Sequence, residues 1–390
     1  MQPSMQAGMY WRLSGFYFFY FIVLGTMVPY LPLYLKSLGL DAWHIGLLTS
    51  VMVGTKIVAP NIWGWLADHT GQRMAIIRLG CLMAVLCFSL IFWWRGNIAL
   101  LALIILLYSF FWNAVLAQFE AVTLVYLGTQ PERYSRVRLW GSIGFILAVA
   151  VFGWMFDHVA LSVFPVLVAT GLLTIFLSSW FVTDPVFELH HVVSDHGHSF
   201  LQRLRQPQIA IFFIVCFLMV LSHGPYYTFF SLLMEQHSYS HTAIGLLWGL
   251  GVVAEVVLFW FMHRLLPNWG LRSMLLLSLV ATTFRWLLLA WFPQFLSVML
   301  FAQCLHAFSF AGFHAAAIEA VRRLFSVQQS GKAQAFYSAV GYGAGNALGA
   351  LVGGALWQFS SALPFFCSAL VCALAVVLVW RGLPAAFFGD

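Results

Sequence analysis

Apolar residues run along this chain in blocks of about 20 or more, separated by short polar segments, without the ~10-residue alternating stretches of a membrane barrel. A helix of ~20 residues crosses a hydrocarbon core of ~30 Å. It also satisfies its own backbone hydrogen bonds there, which an open strand cannot do. The pattern therefore predicts about twelve spanning helices, at 10–35, 44–67, 74–94, 98–127, 137–156, 161–182, 208–233, 242–264, 272–292, 294–320, 333–357 and 363–381. The boundary near Pro293 is the least marked. No cleavable signal pattern precedes the first block, where a short polar tail with Arg12 starts a helix.

Two short stretches repeat at one fixed distance. Ile45-Gly46-Leu47-Leu48 recurs as Ile244-Gly245-Leu246-Leu247, and Gly71-Gln72-Arg73 as Gly270-Leu271-Arg272, both 199 residues on. The same offset places Lys56 on Glu255. A duplicated six-helix unit would carry these opposite charges at equivalent depths of its second helix in each half, as secondary transporters do at a midplane site. Charge at that depth points to function.

Composition adds the solvent. With 62% hydrophobic and 8% charged residues, the chain has too little polar surface to cover a soluble globule. Cations are distributed unevenly along it. If the N-terminus is cytoplasmic, the inner segments hold Arg12, Arg73, Arg78, Arg133, Arg136, Arg138, Arg203, Arg205, Arg264, Arg272, Arg322, Arg323, Lys332 and Arg381, and the outer loops only Lys36 and Arg95. That asymmetry places both termini in the cytoplasm. The net charge of +6 then reflects membrane anchoring, and no nucleic-acid partner is implied. The six cysteines lie in apolar blocks without metal-ligand spacing and read as core residues.

The polar stretch from Thr183 to Pro207 divides the chain into halves of about six spans each. Its His190, His191, Asp195, His196 and His198 have the side chains for a metal but no rigid element to fix a geometry, so the stretch reads as a flexible cytoplasmic linker. The first inner loop, Gly64-Trp-Leu-Ala-Asp68-His-Thr-Gly71-Gln-Arg73, has glycines that permit a tight turn, while Asp68 and Arg73 can pair with neighbouring charges or helix ends. This loop resembles the signature between the second and third helices of the major facilitator superfamily. Tyr134-Ser-Arg136-Val-Arg138-Leu-Trp140-Gly141, with Glu120 lying 18 positions before Arg138, resembles the oligosaccharide:proton symporters and the bacterial phenylpropionate permeases. Gly251-Val-Val-Ala-Glu255, Phe284-Arg285-Trp286 and Leu305-His306 look closest to the phenylpropionate permease family. The lactose permease-like symporters share the order of charged sites, but the chain has Gln303 and Ser309 where those carry a Lys and a Glu around the tenth-helix His.

The resemblance implies an all-α membrane protein of twelve helices in two pseudo-symmetric six-helix bundles, residues 1–182 and 208–390, joined by the linker 183–207. It further implies alternating access around a single central site, in the inner membrane, by a chain that works as a monomer.

The candidate chemistry lies in the charges inside the helices. Each costs about 2.5–3.5 kcal/mol at a helix centre unless it is paired or wet. Lys56, Glu120, Arg138, Glu255 and Arg285 fit either fixed ion pairs, Glu120–Arg138 and Glu255–Arg285, or a transport site. Three cations against two carboxylates leave one positive charge, which an organic anion would match. Glu255, then Glu120, are the candidate proton carriers. His306 titrates in the right range, though a core histidine bonded across helices fits as well. Tyr30, Tyr226, Tyr227 and Trp248 are candidate cavity-lining residues. The expected function is proton-coupled uptake of a small organic solute, favouring a hydrophobic carboxylate such as an arylpropionate. A neutral sugar or nucleoside symporter and an efflux protein are the alternatives. No nucleophile–base motif supports an enzyme, and no cofactor or metal beyond the coupling proton is expected; the partners are the solute, protons and the lipid bilayer.

Overall fold

Long apolar segments without interior charge clusters fold as helices because, in lipid, only internal backbone bonding satisfies every N–H and C=O. The computed structural model describes residues 7–128, 130, 133–185 and 200–389. Among them are twelve helices long and apolar enough to span a membrane: α1 (Gly8–Ser37), α2 (Ala42–Thr70), α3 (Arg73–Trp93), α4 (Ile98–Leu127), α5 (Tyr134–Phe156), α6 (Leu161–Ser179), α7 (Pro207–Gln236), α8 (His241–Trp269), α9 (Leu271–Trp291), α10 (Leu296–Leu324), α11 (Gln328–Trp357) and α12 (Leu363–Gly382). The break at Pro293 falls where the sequence places it. The histidine-rich positions 190, 191, 196 and 198 lie outside the described residues.

The chain forms two units, one of residues 1–40, 51–189 and 240–249, the other of 41–50, 190–239 and 250–390. In unit 1, α1 packs on α5 and α6, and α3 on α4 and α6. In unit 2, α7 packs on α11 and α12, and α9 on α10 and α12. Each pairing recurs six helices later, which is the packing expected of a duplicated unit. The most enclosed helices are α1 and α7, with 72% and 67% of their apolar windows buried against 28–56% elsewhere. Exposed tryptophans such as Trp65, Trp93, Trp154, Trp180, Trp260, Trp291 and Trp380 sit on the outer faces, as in the aromatic belts of membrane proteins.

The repeated Ile-Gly-Leu-Leu stretch is a packing device. A Cβ on Gly46 would fall 2.7 Å from the Ala350 oxygen and 2.9 Å from the Gly354 Cα, inside unit 2. A Cβ on its repeat partner Gly245 would overlap the Val149 oxygen, inside unit 1. Helix backbones approach there as only glycine allows. Beside Gly245, the start of α8 is capped from another helix. Asp157 accepts from the N–H groups of His241 (2.7 Å) and Thr242 (3.0 Å) and from the Thr242 hydroxyl (2.5 Å), satisfying donors that a helix start leaves open. Burial opposes ionisation of Asp157, but the bonds from Thr242 and His241 outweigh it and hold the carboxyl below its ordinary range.

Three irregular turns interrupt the spans. Thr55–Ile57 of α2 is a 3-10 turn carrying Lys56, while Phe308–Gly312 of α10 and Ser338–Gly345 of α11 are π-helical. Such turns concentrate at functional positions because they re-aim side chains and loosen backbone bonding.

Candidate functional site

In unit 2 the polar side chains converge on Arg285, whose side chain is fully buried. Its Nε donates to the Ala302 carbonyl (3.0 Å), Nη2 to Gln303 Oε1 (2.8 Å) and Nη1 to Ser309 Oγ (3.3 Å). The guanidinium carbon lies 4.1 Å above the Tyr226 ring centroid and 4.6 Å from that of Trp286. Every one of these partners is uncharged. Tyr226 also donates to Gln303 Oε1 (3.2 Å), so the Gln303 carbonyl is doubly engaged while its Nε2 has no partner. Two bonds to Oε1 fix the amide orientation.

Glu255 meets His306 instead of Arg285, with His306 Nε2 2.5 Å from Glu255 Oε1. His306 Nδ1 lies 3.3 Å from Ser309 Oγ, and the Ser309 hydroxyl donates to the His306 carbonyl (3.1 Å). With its own proton so directed, Ser309 accepts from Nδ1–H, which leaves one proton to be shared between Nε2 and the Glu255 carboxylate. A proton held between two bases can move from one to the other. The expected Glu255–Arg285 ion pair is thus replaced. Ala302, Gln303, His306 and Ser309 all come from one stretch of α10, and the π-turn starting at Phe308 carries Ser309 between His306 and the guanidinium.

His223 lies beside this cluster, its ring 6.3 Å from that of His306 and 4.9 Å from Trp286. Its Nδ1 bonds the Met219 carbonyl (2.8 Å), so Nδ1 carries the proton and Nε2 is a bare acceptor, buried and without a partner. The sequence weighs His223 low because a lone histidine on an apolar face shows no chemistry. Gln303, His306 and Ser309 are separated by three residues each, so they share a helix face, and that spacing was the available signal.

Unit 1 holds the other charges. Glu120 accepts from the Tyr134 hydroxyl (3.2 Å), and the Arg138 guanidinium sits over Phe21 (3.9 Å) and Tyr17 (5.7 Å). No hydrogen bond or ion pair joins Glu120 to Arg138 among the described contacts; the aromatic faces of α1 take the guanidinium instead. Lys56, half-buried on its 3-10 turn, forms no ion pair among the described residues. Its neighbour Thr55 accepts from Asn113 (2.7 Å). Tyr30 is fully buried and its hydroxyl donates to the Val149 carbonyl (2.6 Å), while Trp248 is buried near the start of α8.

The first loop is a joint. Gly71 ends α2 in the left-handed conformation (φ 67°), and its N–H bonds the Ala67 carbonyl. Arg73 bonds both Asp68 and Gln118. The Met74 N–H is capped by Asp184 (2.7 Å), and Arg78 bonds the Val182 carbonyl (2.8 Å) and stacks on Trp180. Gly64 is not part of the turn; it lies within α2, where a Cβ would meet only the Gln118 side chain at 3.6 Å.

A family model described as "MFS_1 like family" matches residues 10–368. The chain belongs to this family. It is 29% identical over 387 residues to the "Probable 3-phenylpropionic acid transporter" of Escherichia coli (strain K12), covering 96% of this chain and 98% of that one. It is 27% identical over 376 residues to the "Maltose permease" of Geobacillus stearothermophilus, covering 93% and 92%. A crystal structure of the nucleoside transporter NupG, in a mutant form, superposes with a TM-score of 0.81 at 18% identity, covering 98% of this chain and all of that one. The chain is accordingly a multi-pass membrane transporter of the major facilitator type, for a small-molecule solute, and not an enzyme.

Proposed function

We propose that this member of the family couples a proton to the uptake of an aromatic or hydrophobic carboxylate, such as 3-phenylpropionate, across a bacterial inner membrane. One observation carries the reading: Arg285 is a fully buried cation whose hydrogen-bond and ring partners are all neutral, while the nearby Glu255 carboxylate is engaged by His306. A buried cation with no carboxylate hydrogen-bonded to it is costly, and a carboxylate that reaches it gains a charge-assisted, forked hydrogen bond. Lys56, half-buried and without an ion pair among the described residues, is a second cation. The proton shared by Glu255 and His306 is separated from Arg285 by Ser309 alone, so an anion arriving at Arg285 changes the field on that proton. The similarity to the phenylpropionic acid transporter supports the substrate class.

Binding of 3-phenylpropionate compared with its amide tests the anion. The acid should bind the wild-type protein roughly tenfold to hundredfold more tightly, the equivalent of about 1.5–3 kcal/mol for a charged hydrogen bond. In Arg285→Gln the difference should shrink, with Arg285→Lys intermediate because charge remains and the fork is lost. Equal binding of acid and amide by the wild type would transfer the reading to a neutral solute such as a sugar or nucleoside.

A further inference from the structure

Next to the Glu255–His306 pair lies a small cavity lined by His223, Tyr227, Ser309, Tyr342 and the apolar side chains of Met219, Val220, Phe310 and Phe313, with an interior of ≈ 10 Å³. That is about the space one water needs, and a buried water needs two to four polar partners. The lining offers four. One of them, the buried His223 Nε2, is an acceptor that no protein group satisfies. Both π-helical turns contribute to the wall, Ser309 and Phe310 from α10 and Tyr342 from α11.

On its far side the cavity meets a second polar cluster that the site described above does not use. The Tyr342 hydroxyl lies 3.1 Å from His314 Nδ1, and the Tyr337 hydroxyl lies 3.1 Å from the same nitrogen. His314 is half-buried and sits eight residues beyond His306 on α10, about 12 Å along the axis at 1.5 Å per residue. Phe310 separates the two imidazoles, stacked 5.9 Å from each. A direct path along α10 is thereby closed. The cavity offers another route, lined by the Ser309 and Tyr342 hydroxyls.

We propose that one water in this cavity joins Glu255–His306 to His314–Tyr337–Tyr342 as a proton path, with His314 the station at which the coupling proton leaves. Resting on the proton-coupled reading, it adds the residues of the exit. The water donates to His223 Nε2 and to the Tyr342 oxygen, and it accepts from Ser309 when that hydroxyl turns its proton from the His306 carbonyl into the cavity. In transfer, His306 Nε2 takes the proton from Glu255 and Nδ1 passes its own to Ser309. Ser309 passes a proton to the water, the water one to Tyr342, and Tyr342 one to His314 Nδ1. Each intermediate group gains one proton and loses one, so the net result is a carboxylate at residue 255 and an imidazolium at 314. The groups facing His314 are the neutral hydroxyls of Tyr337 and Tyr342 and the Phe310 ring.

The test has two arms, a structure and transport in reconstituted vesicles. In the first, a structure of the wild-type protein at a resolution that shows ordered solvent should contain a water within hydrogen-bond reach of His223 Nε2, Ser309 Oγ and the Tyr342 oxygen. A dry cavity overturns the proposal whatever the substrate. In the second, His314→Asn, which keeps an acceptor near the Nδ1 position but carries no proton, and Tyr342→Phe, which keeps the ring and removes the hydroxyl, are compared with wild type. Each variant should lose tenfold or more of proton-driven 3-phenylpropionate accumulation while retaining equilibrium exchange of labelled for unlabelled 3-phenylpropionate within about twofold. A merely structural staple would lower both rates together, and accumulation within twofold of wild type in both variants contradicts the path. Exchange without any proton-driven accumulation in the wild type would refute the coupled reading itself, a result distinct from failure of the variants.

Discussion

At the scale of single residues, the charges inside the helices are legible in the sequence and their partners are not. Insertion cost marks Lys56, Glu120, Arg138, Glu255 and Arg285, because an ionisable group in an apolar block has no structural excuse. Fixed pairs Glu120–Arg138 and Glu255–Arg285 are one of the two readings the sequence allows, yet the fold places Arg138 over aromatic faces and Glu255 on His306. Neutral side chains decide the outcome: Gln303 and Ser309 stand where the lactose permease-like symporters carry charge, and they take the guanidinium hydrogen bonds that a carboxylate would otherwise accept. Pairing depends on which rotamers helices present to one another, and a single sequence does not encode that locally. The clearest residue-level expectation concerns Glu255. Glu255→Gln keeps the volume and removes the shared proton, so proton-driven accumulation should vanish while exchange of substrate persists. Accumulation at wild-type level in transport assays would exclude Glu255 as the carrier.

At the scale of helices, the twelve spans follow from length and apolarity, and the duplicated order from the 199-residue offset. What escaped was the local backbone. The π-turns of α10 and α11 and the 3-10 turn at Lys56 lie inside apolar blocks whose composition is much the same on both sides of the irregularity. The repeated Ile-Gly-Leu-Leu stretch could be seen, but its role becomes visible only with the carbonyl that each glycine faces. Gly245→Ala should therefore be disruptive out of proportion to one methyl group, because the obstacle is the Val149 backbone, which cannot rotate away. An exposed-helix Gly→Ala usually stabilises, so a raised melting temperature would refute the close contact.

The Asp157 cap belongs to the same scale. Loss of an N-cap acceptor costs about 0.5–2 kcal/mol, so Asp157→Ala should lower thermal stability modestly at neutral pH. The carboxyl is held below its ordinary value in the folded chain. Its contribution is then fully present above the usual carboxylate range and is lost as pH falls through the lowered value. Wild type and Asp157→Ala should differ in melting temperature at neutral pH and converge in acid; a difference independent of pH would contradict the cap.

At the scale of the whole molecule, membership of the family, the membrane-spanning architecture and the recurrence of each helix pairing six helices later agree with one another. The excess of Lys and Arg in alternate segments predicts an orientation with both termini in the cytoplasm. A C-terminal alkaline phosphatase fusion should be inactive and a fluorescent-protein fusion bright; the reverse pattern would overturn the orientation.

The central claim is that one polar cluster binds an organic anion and carries its proton. It is tested most directly in proteoliposomes holding an internal pH dye, by adding 3-phenylpropionate outside at neutral pH with protein-free vesicles as the baseline for passive entry of the undissociated acid. The account expects protein-dependent acidification of the lumen that accompanies uptake of the labelled acid, is absent with 3-phenylpropionamide, and is lost in both Glu255→Gln and Arg285→Gln. Protein-dependent uptake of the acid with no lumenal pH change beyond the protein-free baseline, or uptake of acid and amide at equal rates, would contradict it.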